Sequence, residues 1–190
     1  MRIFEAYVKK QLVEKIGAML FFLVVMLYPN FVARAFGIFF IILFGLTSDL
    51  RQKRLDPLMG LPFSRPQIFW FEYSFLFLIV TVTFLIGLPF STLTITTWIE
   101  FLRSVTFMTA FYSVVLMATC SGFDNYGAAF LFLLADLILA GIGTTEFGPR
   151  LNPYKFISPT HQGNVFMAFA FSIFLLFSAY IIFTKRGGER

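Results

Sequence analysis

The stretch Tyr73–Ile99 reads YSFLFLIVTVTFLIGLPFSTLTITTWI and contains no charged residue. Two further uncharged and mostly apolar runs follow it, Ser104–Phe123 and Val165–Phe183. A run of about 18 or more such residues is long enough to cross a bilayer as a helix. The sequence therefore predicts an all-α integral membrane protein.

The overall composition supports this class and excludes several others. Of the 190 residues, 58% are hydrophobic and 13% are charged, whereas soluble domains average about 45–50% and about 25%. This excludes a soluble enzyme, a nucleic-acid reader and a secreted disulfide scaffold. The single residues Cys120 and His161 cannot form an internal disulfide or a His/Cys metal cluster. We predict no metal site and no cofactor.

The apolar runs predict one transmembrane domain over residues 1–190 with six transmembrane helices. The stretch 16–46 is too long for one span, because 31 residues would form a helix of about 46 Å against a core of about 30 Å. Pro29-Asn30 is a turn signal that divides it. Lys15 and Arg34 are expected to snorkel to opposite membrane surfaces. The predicted spans are about 12–29, 31–48, 73–90, 102–121, 127–145 and 165–183.

Residues 2–11 have apolar side chains on one side of a helical wheel and charged side chains on the other. This pattern is typical of an amphipathic helix that lies in the headgroup region. A cytoplasmic extension of the first span is the alternative, and the sequence leaves both open.

The distribution of Lys and Arg predicts the orientation. The N-terminal segment, the connector between the second and third spans and the C-terminus carry eleven basic residues, and the opposite side carries four. Because basic loops stay in the cytoplasm, we expect a multi-pass protein of the cell (inner, cytoplasmic) membrane with both termini cytoplasmic. The +5 net charge is explained by this asymmetry, and no nucleic-acid partner is expected.

The cytoplasmic connector over residues 49–71 reads DLRQKRLDPLMGLPFSRPQIFWF. Its centre exposes Leu58, Met59, Leu61 and Phe63 between basic flanks, which calls for an apolar partner surface. A segment that rests on lipid headgroups is an equally good interpretation of these residues alone.

This connector resembles the loop after the second span in type-2 ABC exporter permeases, whose pattern includes Leu-Pro-x-Ser-Arg. Here the pattern stands at Leu61-Pro62-Phe63-Ser64-Arg65, followed by Ile68. Six spans, an N-terminal amphipathic helix, inward termini and a basic C-terminal tail also resemble that family. The run Phe21–Pro29, FFLVVMLYP, is similar to the first span of haem-exporter permeases. One departure is Glu72, which stands where many members have Lys.

The resemblance implies a transport subunit, not an enzyme. The sequence contains no G-x-x-x-x-G-K-[ST] phosphate-binding loop, so ATP hydrolysis is expected in a separate ABC ATPase. In the family, a short coupling helix in this connector docks in a groove of the ATPase. Two permease chains, identical or paralogous, pair with two ATPase copies within the membrane lipids, and the translocation path lies between the permeases. The matching coupling positions are Asp56, Leu58, Met59, Leu61, Pro62, Ser64 and Arg65.

Asp136 is the one carboxylate in the middle of a predicted span. An ionisable group there faces protein or water, which leaves two interpretations. It either contacts cargo or gates the translocation path, or it forms a structural hydrogen bond to a neighbouring helix, for example to a Ser or Thr of span four.

Two other functions remain alternatives to the transporter. A non-catalytic membrane scaffold would need no apolar coupling segment in the cytoplasm. A membrane-embedded lipid-modifying enzyme would need clustered acids, metal ligands or a nucleophile with a base, and no such cluster is visible in the sequence.

Overall fold

In the computed structural model of the chain, residues 17, 19–45, 47, 64–90, 94–142 and 152–186 are described. Every regular element among them is helical. Residues 19–26 are helical, and six further helices follow. These are α1 (Phe31–Phe44), α2 (Arg65–Gly87) with a 3₁₀ turn at Leu88–Phe90, α3 (Ile95–Cys120), α4 (Asn125–Gly141), α5 (Pro153–Ile157) and α6 (Val165–Arg186). The predicted interfacial helix over residues 2–11 lies outside the described residues.

Two polar residues, Asn30 and Asp124, act as helix caps. The side chain of Asn30 accepts a hydrogen bond from the Val32 amide at 2.8 Å and begins α1. Asp124 accepts from the Gly127 amide at 2.8 Å and begins α4. These bonds satisfy amides of the first turn that have no partner inside the helix. The turn between α3 and α4 contains Gly122 at φ 91°, a conformation that glycine adopts without strain.

α3 is the central helix of the bundle and packs against α1, α2, α4 and α6. Its residues from Ser104 to Ser113 are all buried. The buried hydroxyls of Thr106, Thr109 and Ser113 donate to carbonyls four residues earlier at 2.6–2.9 Å. No hydroxyl of these three is therefore left without a partner in the apolar core, and such small side chains permit close helix packing.

Three of the described helices, α2, α3 and α6, are long and apolar enough to cross a membrane. Their outward side chains are apolar as well: Phe166 is 76% exposed and Phe174 is 65% exposed. The chain is thus a membrane-associated helical protein. α1 and α4 are apolar but have 14 and 17 residues, or about 21 and 26 Å, so the six-span arrangement is taken up below as a proposal.

Two helices begin earlier than the sequence predicts. α2 begins at Arg65 instead of about residue 73, because Pro66 is tolerated in a first turn and the amide of Ser64 donates to Gln67 Oε1 at 2.9 Å. Residues 65–71, predicted as part of the connector, are therefore the first turns of α2. α3 begins at Ile95 instead of about residue 102, with Thr94 as its cap.

The ends of the helices converge on two sides of the bundle. We call one side the Arg65 end and define it by Leu43, Arg65, Asn125 and Thr184. There Arg65 Nη1 donates to the Thr184 carbonyl at 3.5 Å. Asn125 Nδ2 donates to the Leu43 carbonyl at 3.3 Å. The Asp136 end, defined by Arg34, Arg103, Asp136 and His161, lies opposite. There Arg103 Nη2 donates to the His161 carbonyl at 3.3 Å.

Candidate functional site

Asp136 lies on α4, five residues before the helix ends, and its exposed fraction is 0%. Facing it are residues 152–164, which we call the strap. The strap leads into α6 and contains the short helix α5. It begins at Asn152, whose Nδ2 donates to the carbonyls of Leu139 and Ile142 at 2.7 and 2.8 Å, and so binds carbonyls that the end of α4 leaves free.

Four donors from the strap surround the Asp136 carboxylate. Oδ1 accepts from the Tyr154 hydroxyl at 2.5 Å. Oδ2 accepts from Ser158 Oγ at 3.0 Å, from the Thr160 amide at 3.0 Å and from Thr160 Oγ1 at 2.5 Å. Burial raises the pKa of Tyr154, and its hydrogen bond to Asp136 raises that pKa further. A carboxylate is well suited to this position because it offers only acceptors.

The contacts of Asp136 differ from those suggested by the sequence. Its partners are on the strap, which the sequence treats as a polar external loop, and none of the four hydrogen bonds comes from a Ser or Thr of α3. These four hydrogen bonds give each carboxylate oxygen of Asp136 at least one donor. A contact between Asp136 and cargo stays a prediction.

The strap is also fastened to α3. Gln162 Nε2 donates to the Arg103 carbonyl at 2.9 Å and to the Pro159 carbonyl at 2.7 Å. Gln162 has a left-handed backbone at φ 47°, which is uncommon for a residue other than glycine. These two side-chain bonds hold the strap in that conformation and connect it to the helix beside α4.

Charged residues form a second cluster at the Asp136 end. Arg103 Nη1 lies 3.1 Å from Glu100 Oε1, and both side chains are about one third exposed. The predicted snorkelling of Arg34 to the surface is wrong: it is 3% exposed, with its guanidinium 4.9 Å from the centre of the Phe84 ring. The cation–π contact and the attraction to the negative charge of Glu100 stabilise the buried guanidinium, which has lost part of its hydration.

Four buried polar atoms, three in this cluster and one on the neighbouring Gln162 of the strap, have no hydrogen-bond partner within the described structure. They are two donors and two acceptors: Arg34 Nε, Arg103 Nε, Glu100 Oε2 and Gln162 Oε1. Buried groups of this kind commonly bind water or a polar ligand. The cluster is therefore the part of the Asp136 end with free capacity for hydrogen bonding.

The predicted coupling residues fall into two groups. Ser64 caps α2 and Arg65 is its first residue. The others, Asp56, Leu58, Met59, Leu61 and Pro62, lie outside the described residues.

Glu72 is a buried residue whose importance the sequence does not reveal. It is 1% exposed, and a Cβ added to Gly45 would collide with its Oε1. The side chain thus packs directly against the end of α1. The sequence identifies Glu72 only as a departure from the family pattern, because it places residue 72 between the connector and a span and gives no sign that the side chain is buried.

No group of three or more His, Cys, Asp and Glu side chains that could hold a metal ion occurs among the residues that the structure describes. Comparison with known proteins gave no match to a protein-family model, to a curated protein or to a solved structure.

Proposed function

We propose that this chain is the membrane-spanning permease subunit of an ATP-driven ABC exporter. A pair of such chains would move substrate with ATP hydrolysed by two copies of a separate ATPase. The observation that carries the proposal is the position of Ser64-Arg65. This end of the Leu-Pro-x-Ser-Arg pattern runs directly into α2, a helix of 23 residues.

That continuity supports a mechanism for coupling. A helix of 23 residues is about 34 Å long, so α2 can carry a displacement from one end of the bundle to the other. Arg65 also donates to the Thr184 carbonyl of α6 at 3.5 Å. An ATPase that moves residues 49–63 would therefore pull on two long helices at once. At its far end, α2 meets the Asp136 end through the contact of Phe84 with Arg34.

The proposed topology has six spans, with the Arg65 end in the cytoplasm. α1 and α4 would then span with the help of flanking residues or local bilayer thinning, since both are slightly short. The basic asymmetry of the sequence supports a cytoplasmic position for both termini and the connector. The strap would lie on the outside.

A labelling experiment tests this topology. Single cysteines at Gln52 and Lys185, in a Cys120→Ser background, are expected to react with a membrane-impermeant maleimide only after the membrane is opened. A cysteine at Asn164, an exposed strap residue, should react in intact cells. Reaction of the Gln52 cysteine from outside would contradict the six-span topology.

A second experiment tests the coupling. Leu58→Asp and Leu61→Asp would each bury a charge if these side chains dock in an ATPase groove. An unpaired buried charge costs about 3–5 kcal/mol, which corresponds to roughly 100-fold weaker binding or more. We expect ATPase binding and substrate-stimulated hydrolysis to fall by that order in reconstituted liposomes, while membrane insertion is unchanged.

Gln52→Asp is the matched control, because it adds the same charge to the same connector without replacing an apolar residue. It should retain most of the ATPase binding. If both Leu variants assemble and hydrolyse ATP like the parent chain, the coupling role is wrong and a connector resting on headgroups is favoured. A chain that binds no ATPase at all would favour the scaffold instead.

A further inference from the structure

An apolar cavity of about 260 Å³ opens beside the Asp136 end. One wall is a face of α1 that includes Phe31, Val32, Ala35 and Phe36, and the opposite wall includes Leu133 and Leu137 of α4. Its single polar lining residue is Thr160, whose hydroxyl already donates to Asp136. Among the residues described, the lining of the cavity therefore offers a ligand almost no free polar group.

The shape of the cavity follows the helix axes. Its lining runs along α1 from Phe31 to Phe39, and these two residues are about 12 Å apart along the helix axis. Phe39 and Phe107 in its lining are buried, whereas Val32, at the open side that we call the mouth, is 71% exposed. An extended, apolar chain that lies parallel to the helices fits this form. In a bilayer, the acyl chains of the surrounding lipids have that orientation.

Charged groups lie at the outer end of the same cavity. The guanidinium of Arg103 is 5.0 Å from the centre of the ring of Phe31, a lining residue, and Arg103 is paired with Glu100. The side chains of Arg103 and Glu100 are 29% and 35% exposed, so both remain accessible from outside the bundle. A phosphate complements the guanidinium of Arg103, and a primary ammonium complements the carboxylate of Glu100.

We propose that the cavity binds one acyl chain of a phospholipid that has both a phosphate and a primary amine in its headgroup. The phosphate contacts Arg103, the ammonium contacts Glu100, and the acyl chain occupies the space between α1 and α4. This site does not depend on an ATPase, and the experiment that tests it contains none.

The test uses phosphatidylethanolamine with a photoactivatable diazirine in its acyl chain, incorporated into nanodiscs with the protein. We expect labelling concentrated on peptides with Phe36 and Leu133. Ala35→Phe, which fills the cavity, and Val32→Trp, which covers its mouth, should each reduce this labelling at least several-fold. Ala170→Phe is the matched control, since Ala170 is an exposed residue of α6, and it should leave the labelling unchanged.

The headgroup is tested with the same diazirine chain on phosphatidylcholine and phosphatidylglycerol. Phosphatidylcholine lacks an N–H donor and phosphatidylglycerol lacks a cation, so both should label several-fold less at equal mole fraction. Glu100→Gln should remove the preference for phosphatidylethanolamine over phosphatidylglycerol. Unfolding midpoints, measured for every variant, show that each labelled protein is folded.

Three results would overturn the proposal. The first is undiminished labelling in both folded cavity variants, and the second is labelling spread evenly over the exposed faces of α4 and α6. The third is efficient disulfide formation between two Val32→Cys chains in the membrane, because a second copy of the protein would then cover the mouth.

Discussion

Asp136→Leu is expected to lower the free energy of unfolding by about 3–5 kcal/mol, more than a typical core substitution. The change leaves the Thr160 amide and the hydroxyls of Tyr154, Ser158 and Thr160 without their acceptor. A buried donor without a partner costs about 1–3 kcal/mol, and the hydroxyls recover part of this by rotating. A single interhelical hydrogen bond would predict a loss of only about 1–2 kcal/mol. Denaturation in detergent micelles measures the difference.

Asp136→Asn should have an intermediate effect of about 1–2 kcal/mol. Its carbonyl oxygen can accept from the Thr160 amide and Ser158, while its amide group faces Tyr154, whose hydroxyl oxygen can act as acceptor. Tyr154→Phe removes one hydrogen bond and should cost about 1 kcal/mol. The expected order of destabilisation is therefore Asp136→Leu, then Asp136→Asn, then Tyr154→Phe.

The control for this series is Asp124→Asn. It makes the same chemical change at an exposed helix cap, where Asn and Asp are equivalent, and its stability should be close to that of the parent chain. An Asp136→Leu protein as stable as the parent would contradict the role of the strap network.

A transport assay separates the two roles of Asp136. Transport by the Asp136→Asn variant is measured below its unfolding midpoint. Normal transport limits Asp136 to holding the strap, whereas lost transport supports a contact with cargo.

The helical class of this protein can be predicted from its sequence because bilayer thickness imposes a simple rule on apolar runs. The three charge-free runs begin within α2, α3 and α6, the described helices that are long and apolar enough to cross a membrane. The same rule is less decisive for α1 and α4, whose apolar lengths are between those of a core helix and a span. The turn signal at Pro29-Asn30 was also correct, since the structure ends one helix before it and begins α1 at Phe31.

The polar contacts were harder to predict because they depend on residues far apart in sequence. From the hydropathy of its own segment, Arg34 is expected at a membrane surface. In the structure it is enclosed by Phe84 and Gly87 of α2, which are about 50 residues away in sequence. Asp136 was recognisable as an unusual carboxylate, while its partners are 18–24 residues later in a Pro-rich stretch. A window that scores local composition cannot indicate that such a stretch folds back onto the preceding helix.

The close packing of helices at glycine leads to a second large effect. Gly37 of α1 faces the helical residues 19–26, and a Cβ added to it would collide with the Met26 side chain and lie 2.9 Å from the carbonyl oxygen of Phe22. Met26 is fully buried, so it has little room to move. The carbonyl belongs to the backbone, and relief there requires the two helices to separate.

Gly37→Ala is therefore expected to lower the free energy of unfolding by about 2–3 kcal/mol through overpacking, although Ala is the better helix former by about 1 kcal/mol. Gly141→Ala is the matched control, because a Cβ there meets no atom within 4 Å, and its stability should be unchanged or slightly higher. The double variant Gly37→Ala/Met26→Ala removes the side-chain collision but keeps the contact with the Phe22 carbonyl, so it should not restore the stability of Met26→Ala alone. Equal unfolding midpoints for Gly37→Ala and Gly141→Ala would show that residues 19–26 do not pack closely against α1.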